Sequence, residues 1–533
     1  MRTIYYNASV YTGCLPMQEA FGVDDDHFFF AGSYEEARSL SANRFVDLNG
    51  AFVCAGFNDS HMHLLNFGQA LTAAPLHQNT GSLEAVVQCL KHTAPGRGGW
   101  ILGRGWNQDY FSDEHRMPNR WDLDRVSTEN PVCAVRACGH ALSVNSKALE
   151  LLGITAETPQ PDGGQILLEN GIPNGIFFDN AMDLVYAGLP APSREDLKAM
   201  ILASCKALNA YGITSVQSDD YCVFRNVSWQ EVNAAFRELE ADGELTVRVY
   251  EQANFTKVSD LKEFLYAGSR TGCGTDFFRI GPLKMLGDGA LGARTAYLTK
   301  PYADDPANRG ISVFTQQEFD NLISCANAAG MQCAIHCIGD ACLDMVLHSI
   351  EKALEEHPRE DHRHGIVHCQ ITRPDQLQKI ADLKLHVYAQ SIFLDYDIHM
   401  VQDRVGEELA QSSYCWKTLK HLGSTVSNGS DCPVELPDVL AGIQCAVTRT
   451  DLKGSVPAYL PAEAFTVQEA LDSFTSCGAW ASFDEMKKGK IQPGMLADFV
   501  ILDGNPFLEK PSDICSISVK ETFLCGKSVY SKS

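Results

Sequence analysis

The residues able to do chemistry in this chain are a handful of imidazoles, one lysine and one aspartate. His61 and His63 flank Met62 just after the apolar stretch 51–57. In an extended strand, residues i and i+2 project from the same face, so two imidazoles placed this way can share a metal ion. His336 follows an apolar segment expected as a strand over 331–335, and His368 ends one over 365–367. Lys284 ends a third over 278–283, and Asp431 follows Asn428-Gly429-Ser430 after a strand that begins at 424. Taken singly, each has an ordinary use: a core histidine, a solvated lysine, an aspartate in a turn or cap. Six of them at strand ends form a constellation that strand-end chance explains poorly. In a parallel βα barrel the C-terminal strand ends converge on one face, and active sites are built there.

The positioning elements are legible as a repeated unit in which a capping box opens an amphipathic helix, a glycine closes it and an apolar strand follows. Ser193 with Asp196 opens a helix carrying Leu197, Met200, Ile201 and Leu208, closed by Gly212 before a strand over 213–217. Thr315 with Glu318 opens another through Phe319, Leu322, Ile323 and Ala326, closed by Gly330. A third, from about Asp375 through Leu377, Ile380 and Leu383, leads into a strand over 385–390, and a fourth over 416–422 meets Gly423. Alternating helices and strands at this spacing imply a parallel sheet. The two ends differ: residues up to about 53 show short strands with turn signals such as Asn49-Gly50, and short strands return at 497–502 and 517–523. The expected architecture is therefore α/β: a (β/α)8 TIM-like barrel over 55–484, and a composite β-sandwich domain from 1–54 and 485–533. An insertion after barrel strand 1, over 71–190, is rich in Gly, Pro and Trp (Trp100, Trp106, Trp121) and is placed to cover a site.

Composition narrows the classes. Of 533 residues, 45% are hydrophobic and 21% charged, the balance of a folded chain with ample core. Lys plus Arg is 43 against 67 Asp plus Glu, a net charge of −24 that repels phosphate backbones and anionic membranes. The expected partner is a small-molecule substrate, with no nucleic acid and no membrane, and homo-oligomers are left open. The N-terminal residues lack a signal-peptide apolar run, and no stretch stays apolar for a membrane span, so a cytoplasmic location is expected. The 19 cysteines contain no Cys-x-x-Cys pair, which points to small, reduced core residues.

Motifs along nearly the whole chain then resemble one family. They include Gly56-Phe57-Asn58-Asp59-Ser60-His61-Met62-His63-Leu64, Gly105-Trp106-Asn107, Gly139-His140 with Val144-Asn145-Ser146-Lys147-Ala148-Leu149, and Lys284 with Asp288-Gly289-Ala290-Leu291-Gly292-Ala293-Arg294-Thr295-Ala296. Further on come His336-Cys337-Ile338-Gly339-Asp340, His368-Cys369-Gln370, Gly429-Ser430-Asp431-Cys432-Pro433-Val434 and 490–499 with Pro493-Gly494 and Asp498. The chain resembles the amidohydrolase superfamily, in its amidohydrolase-3 or YtcJ-like branch. That resemblance implies that His61 and His63 bind one metal and His336 and His368 a second, with Lys284 bridging them as a carbamate formed from CO2. It also implies that Asp431 contacts the first metal and accepts a proton from a metal-activated water. Two zinc ions per chain are the default, with manganese, iron or nickel able to fill such a site. The implied reaction is hydrolysis of an amide-type C–N bond in a small N-acyl or N-formyl amine, with His140 and Arg294 as candidate substrate contacts. Deamination or another carbonyl-directed reaction on the same metals, or a barrel that binds or regulates without turnover, are the alternatives.

Two features depart from that pattern or compete with it. Val367 stands where many relatives have an acid before the histidine, with Cys369 following, and strand alternation is expected to turn Val367 away from the face of His368. Gly287-Asp288-Gly289-Ala290-Leu291-Gly292 meets a dinucleotide-binding spacing, but lacks the rest of that signature and is read as a loop beside Lys284.

Overall fold

Eight parallel strands carry the site: β1 (Phe57–Met62), β2 (Ile213–Ser218), β3 (Arg248–Asn254), β4 (Phe278–Leu286), β5 (Cys333–Cys337), β6 (Gly365–His368), β7 (His386–Ala389) and β8 (Val426–Asn428). In the computed structural model, which describes residues 1–532 apart from 77–80, 138–140, 162 and 225, each strand pairs with the next in sequence order from β1 to β8. β8 returns beside β1, where the Ser427 hydroxyl donates to Ser60 Oγ at 2.8 Å and Asp431 N donates to His61 O at 2.8 Å. The result is a nearly closed (β/α)8 barrel.

The local code works as the repeat implies. Thr315 caps its helix reciprocally with Glu318, and Gly212 and Gly330 adopt left-handed φ values of +79° and +75° at helix ends, a conformation that costs glycine little. Strand ends extend further than apolarity alone marks. β4 runs to Leu286, beyond the expected 283, and β5 runs over Cys333–Cys337, so His336 lies within the strand. The reason is pairing: Lys284 faces Ala334 and Leu286 faces His336, and the ladder continues past the last apolar residue.

Strands from both chain ends form one sheet in the same compact unit as the barrel. Phe52–Ala55 runs antiparallel to Phe499–Leu502, and the long first strand, Arg2–Val10, pairs through Thr3–Tyr6 with one neighbour and through Ser9–Val10 with another. Its core is aromatic, with Phe499 stacked on Phe523 at 4.2 Å and Tyr5 on Phe21 at 4.8 Å. The sheet is tied to β3 by a buried ion pair: Arg248 Nε donates to Asp498 Oδ2 at 2.7 Å and Nη2 to Oδ1 at 3.1 Å.

Residues 65–204 and 221–238 form a second compact unit. It holds a six-stranded mixed sheet in the order Gly164–Glu169, Ile172–Asp179, Ala141–Val144, Val132–Arg136, Ile101–Trp106, Ala74–Pro75. Alternation divides its faces: Val132 and Ala134 join a core with Leu83, Val86 and Trp106, whereas Cys133 joins another with Trp100, Leu142 and Phe177. Among the described residues no helix is long and apolar enough to cross a membrane.

Candidate metal centre

His61 lies at the end of β1 and His63 just beyond it, and both turn their Nε2 atoms to the same oxygen. His61 Nε2 is 3.3 Å and His63 Nε2 3.1 Å from Asp431 Oδ1, and the three side chains form a compact potential metal-binding group. Gly429 lets β8 approach this closely, since a Cβ there would sit 2.6 Å from His61 N. Asp59, buried beneath, accepts from Ser430 N at 3.0 Å and from the Ser430 hydroxyl, stitching the loop after β8 to β1. Burial pushes the Asp59 carboxyl up to about 7 against those hydrogen bonds.

Opposite each Nε2, the Nδ1 atom is already committed. His61 Nδ1 lies 2.8 Å from Gln252 Oε1, and Gln252 in turn donates to Ser60 O at 3.3 Å, which orients the amide so that its oxygen faces the ring. His63 Nδ1 lies 3.0 Å from the carbonyl of Asp219. A carbonyl only accepts, so both rings carry a proton on Nδ1 and turn Nε2 towards a carboxylate. Facing lone pairs repel unless a cation or a proton stands between them, and this donor set therefore fits a metal ion. In the protein alone, burial holds His61 down at about 4. For His63, burial works in the same direction but the hydrogen bond and charge of Asp431 outweigh it and raise the ring to about 9. Asp431, though burial opposes ionisation, is held well below the usual carboxylate range by His61 and His63.

The other three residues gather alongside. The His368 ring is 5.7 Å from His61 and 4.5 Å from His336 between centroids. His368 Nδ1 is 2.7 Å from Gln390 Oε1, and Gln390 donates to Tyr388 O at 3.0 Å, the same device that orients His61. His336 is held the other way round: its Nε2 is 3.1 Å from the Gly289 carbonyl and 3.3 Å from Asp288 Oδ1, so Nδ1 is the nitrogen that could serve as a ligand. Lys284 is fully buried, its Nζ has no hydrogen-bond partner among the described residues, and the acid paired with it, Asp219, stands 3.9 Å away. An ammonium so placed is costly, and a lysine lacking hydrogen bonds at that position fits conversion to an anionic ligand.

Backbone strain places two of these groups. His368 has φ +72° and Asp431 φ +58°, left-handed values that cost a non-glycine residue and cluster at functional sites. The consequence at β6 corrects the expected alternation. Val367 pairs in register with His336 and packs with Ala334, Tyr388 and Ala481, so it shares the interior side. His368 reaches that same side because its left-handed backbone breaks the alternation.

Arg294 is engaged bidentately by Asp304, at 3.1 and 2.8 Å, and His140 lies outside the described residues. Sequence reasoning passed over Gln252, Gln390 and Asp288. The last accepts from Ile338 N at 3.0 Å and from Gly339 N and Tyr297 N at 2.8 and 2.9 Å, anchoring the loops after β4 and β5. Among the described residues no helix begins directly after the glycines around Asp288, the next being Gln316–Ala328, so the dinucleotide spacing has no phosphate-binding helix behind it. Gln252 stands in β3 among the polar residues Arg248, Glu251 and Asn254, so its residue type alone did not single it out.

A parallel barrel with imidazoles, a buried lysine and an aspartate at its C-terminal strand ends defines the class of metal-dependent hydrolases. The chain belongs to the Amidohydrolase family, whose sequence profile matches residues 44–530. It is 32% identical to the "Putative amidohydrolase YtcJ" of Bacillus subtilis (strain 168), over all of both chains. It is 25% identical to the N-substituted formamide deformylase of Arthrobacter pascens, over 97% of this chain and 95% of that one. An uncharacterized metal-dependent hydrolase from Pyrococcus horikoshii OT3 superposes with a TM-score of 0.81 at 29% identity, covering 96% of this chain and 99% of the other.

Proposed function

We propose that the protein hydrolyses an amide-type C–N bond of a small N-acyl or N-formyl amine at a binuclear centre, zinc by default. The observation that carries the reading is the convergence of two Nδ1-committed imidazoles on Asp431 Oδ1. Likeness to a deformylase of N-substituted formamides supports the bond type. His61, His63 and Asp431 would hold one ion and His336 and His368 the other, and Lys284, its nitrogen carboxylated by CO2, would supply an anionic oxygen ligand to the centre. When bound, the ions polarise the scissile carbonyl and acidify the attacking water. Asp431, held well below the usual carboxylate range, would take a proton from that water on Oδ1 and return it to the departing nitrogen. Gln252, Gln390 and the Asp219 carbonyl keep the imidazoles in the tautomer this requires.

The test combines metal content with product analysis. Plasma mass spectrometry of protein purified without chelators should give about two equivalents of metal per chain, falling on Lys284→Ala. The loaded enzyme should release formate and amine from N-substituted formamides. Metal bound with ammonia as the product would turn the reading to deamination, and no metal after reconstitution with bicarbonate would overturn it.

A further inference from the structure

The second compact unit carries a cleft, partly open to solvent, of about 440 Å³, within the roughly 300–1,000 Å³ span of small-molecule sites. Much of its wall is apolar, with Leu102, Val135, Leu189, Pro190 and Phe224 among the lining residues. Its charges are unusual in so acidic a chain. Arg97 and Arg104 both line it, and among the described residues no acceptor takes a hydrogen bond from either guanidinium. Nη1 of Arg97 is buried without a partner among the described residues, a state proteins rarely leave unrelieved.

Arg97 is also held in place. It opens the short turn Arg97–Gly99, in which Gly98 (φ +59°) lies so close to Pro190 that a Cβ would stand 2.4 Å from its Cγ. The guanidinium carbon sits over the Phe224 ring, 5.1 Å from the centroid, a cation–π contact that leaves the N–H edge open. Asp196 lies near enough to act on Arg97 electrostatically, but its carboxylate is taken by the Ser193 N–H and hydroxyl at 2.8 and 2.7 Å. Asp183, the acid on the wall, has a partner of its own.

An oriented guanidinium with free N–H edges, set in an apolar cavity, matches the planar fork of a carboxylate. Arg97 is the half-buried guanidinium among the apolar walls and Arg104 is exposed, so the site suits a monoanion with an apolar body better than a phosphate, whose further oxygens would lie against apolar walls without hydrogen-bond partners. We propose that the second unit binds a small carboxylic acid with an apolar body, its carboxylate on Arg97 with Arg104 in support and its body against Leu102, Val135 and Phe224. The inference stands on this unit alone and does not depend on the hydrolytic reading.

The experiment is calorimetric titration of the metal-stripped full chain with 3-phenylpropionate, and with 3-phenylpropionamide as the uncharged control. The acid should bind saturably at one site, about tenfold or more tighter than the amide. Arg97→Met should remove that advantage while leaving the amide unchanged. Leu102→Trp, which fills the cavity and keeps the charge, should weaken both and covers the case in which Arg97→Met fails to fold. Absence of saturable binding, equal binding of acid and amide, or undiminished binding by a folded Arg97→Met variant would overturn the site. Turnover assays on the metal-loaded enzyme then separate the sources of the acid. Competitive inhibition relieved by Arg97→Met identifies it with substrate or product, and unaltered turnover identifies it as a separate ligand; both support the site.

Discussion

At the scale of single residues, the centre depends as much on what holds the imidazoles as on the imidazoles themselves. His61 and His368 each give their Nδ1 proton to a glutamine whose own amide is fixed by a backbone carbonyl. Gln252→Leu and Gln390→Leu should therefore weaken metal binding by about 10- to 100-fold while leaving the fold intact, read by competition against a chromophoric chelator. Asp431→Asn keeps the shape and removes the proton acceptor, so turnover should fall by about 10² to 10⁴. Retained turnover in that variant would remove Asp431 from the proton path. The six ligand candidates were legible from residue type and strand-end position. The glutamines were not, because a lone Gln in a strand carries no mark of what it faces.

At the scale of elements, β1, β6 and β8 end in backbone arrangements that only close packing explains. Gly429 admits the approach of β8 to His61, and Gly429→Ala should lower metal content and thermal stability together, measured by plasma mass spectrometry and calorimetry. The helix–glycine–strand repeat could be read directly, since capping boxes and closing glycines are local signals. The register between strands could not, and neither could the left-handed turn at His368 that places it and Val367 on one side. Arg248 and Asp498 show the same limit: each is ordinary in its segment, and their buried pairing joins residues 250 positions apart. Arg248→Met, which strands the Asp498 charge, should cost about 3–5 kcal/mol in denaturant unfolding.

At the scale of the whole molecule, buried histidines couple stability to pH. Burial lowers His386 to about 3 and His362 to about 4, and lowers His364 well below its ordinary value. A histidine whose folded value lies below its unfolded one, near 6.5, stabilises fully above that pH. Its contribution is lost as pH falls, because the unfolded chain takes up protons the folded one refuses. Metal-stripped protein should thus lose thermal stability through this group between pH 6.5 and about 3, and His386→Asn should flatten the decline in a pH series of melting curves. An unchanged slope would show that His386 titrates alike in both states.

Local chemistry is written in local sequence. Periodicity, caps, glycines and histidines at the ends of apolar runs were enough to indicate a βα barrel with candidate metal ligands at its C-terminal strand ends, and ordered motifs along the chain carried the resemblance to amidohydrolases. Tertiary structure decided what depends on residues far apart in the chain. It set the lone-pair geometry around Asp431, the isolation of the Lys284 nitrogen, the side taken by His368, and a six-stranded sheet with its own arginine-lined cavity in the second unit. The physical reason is the range of the forces: helix and turn preferences act over a few residues, whereas desolvation, pairing register and hydrogen-bond commitment exist only once distant segments meet.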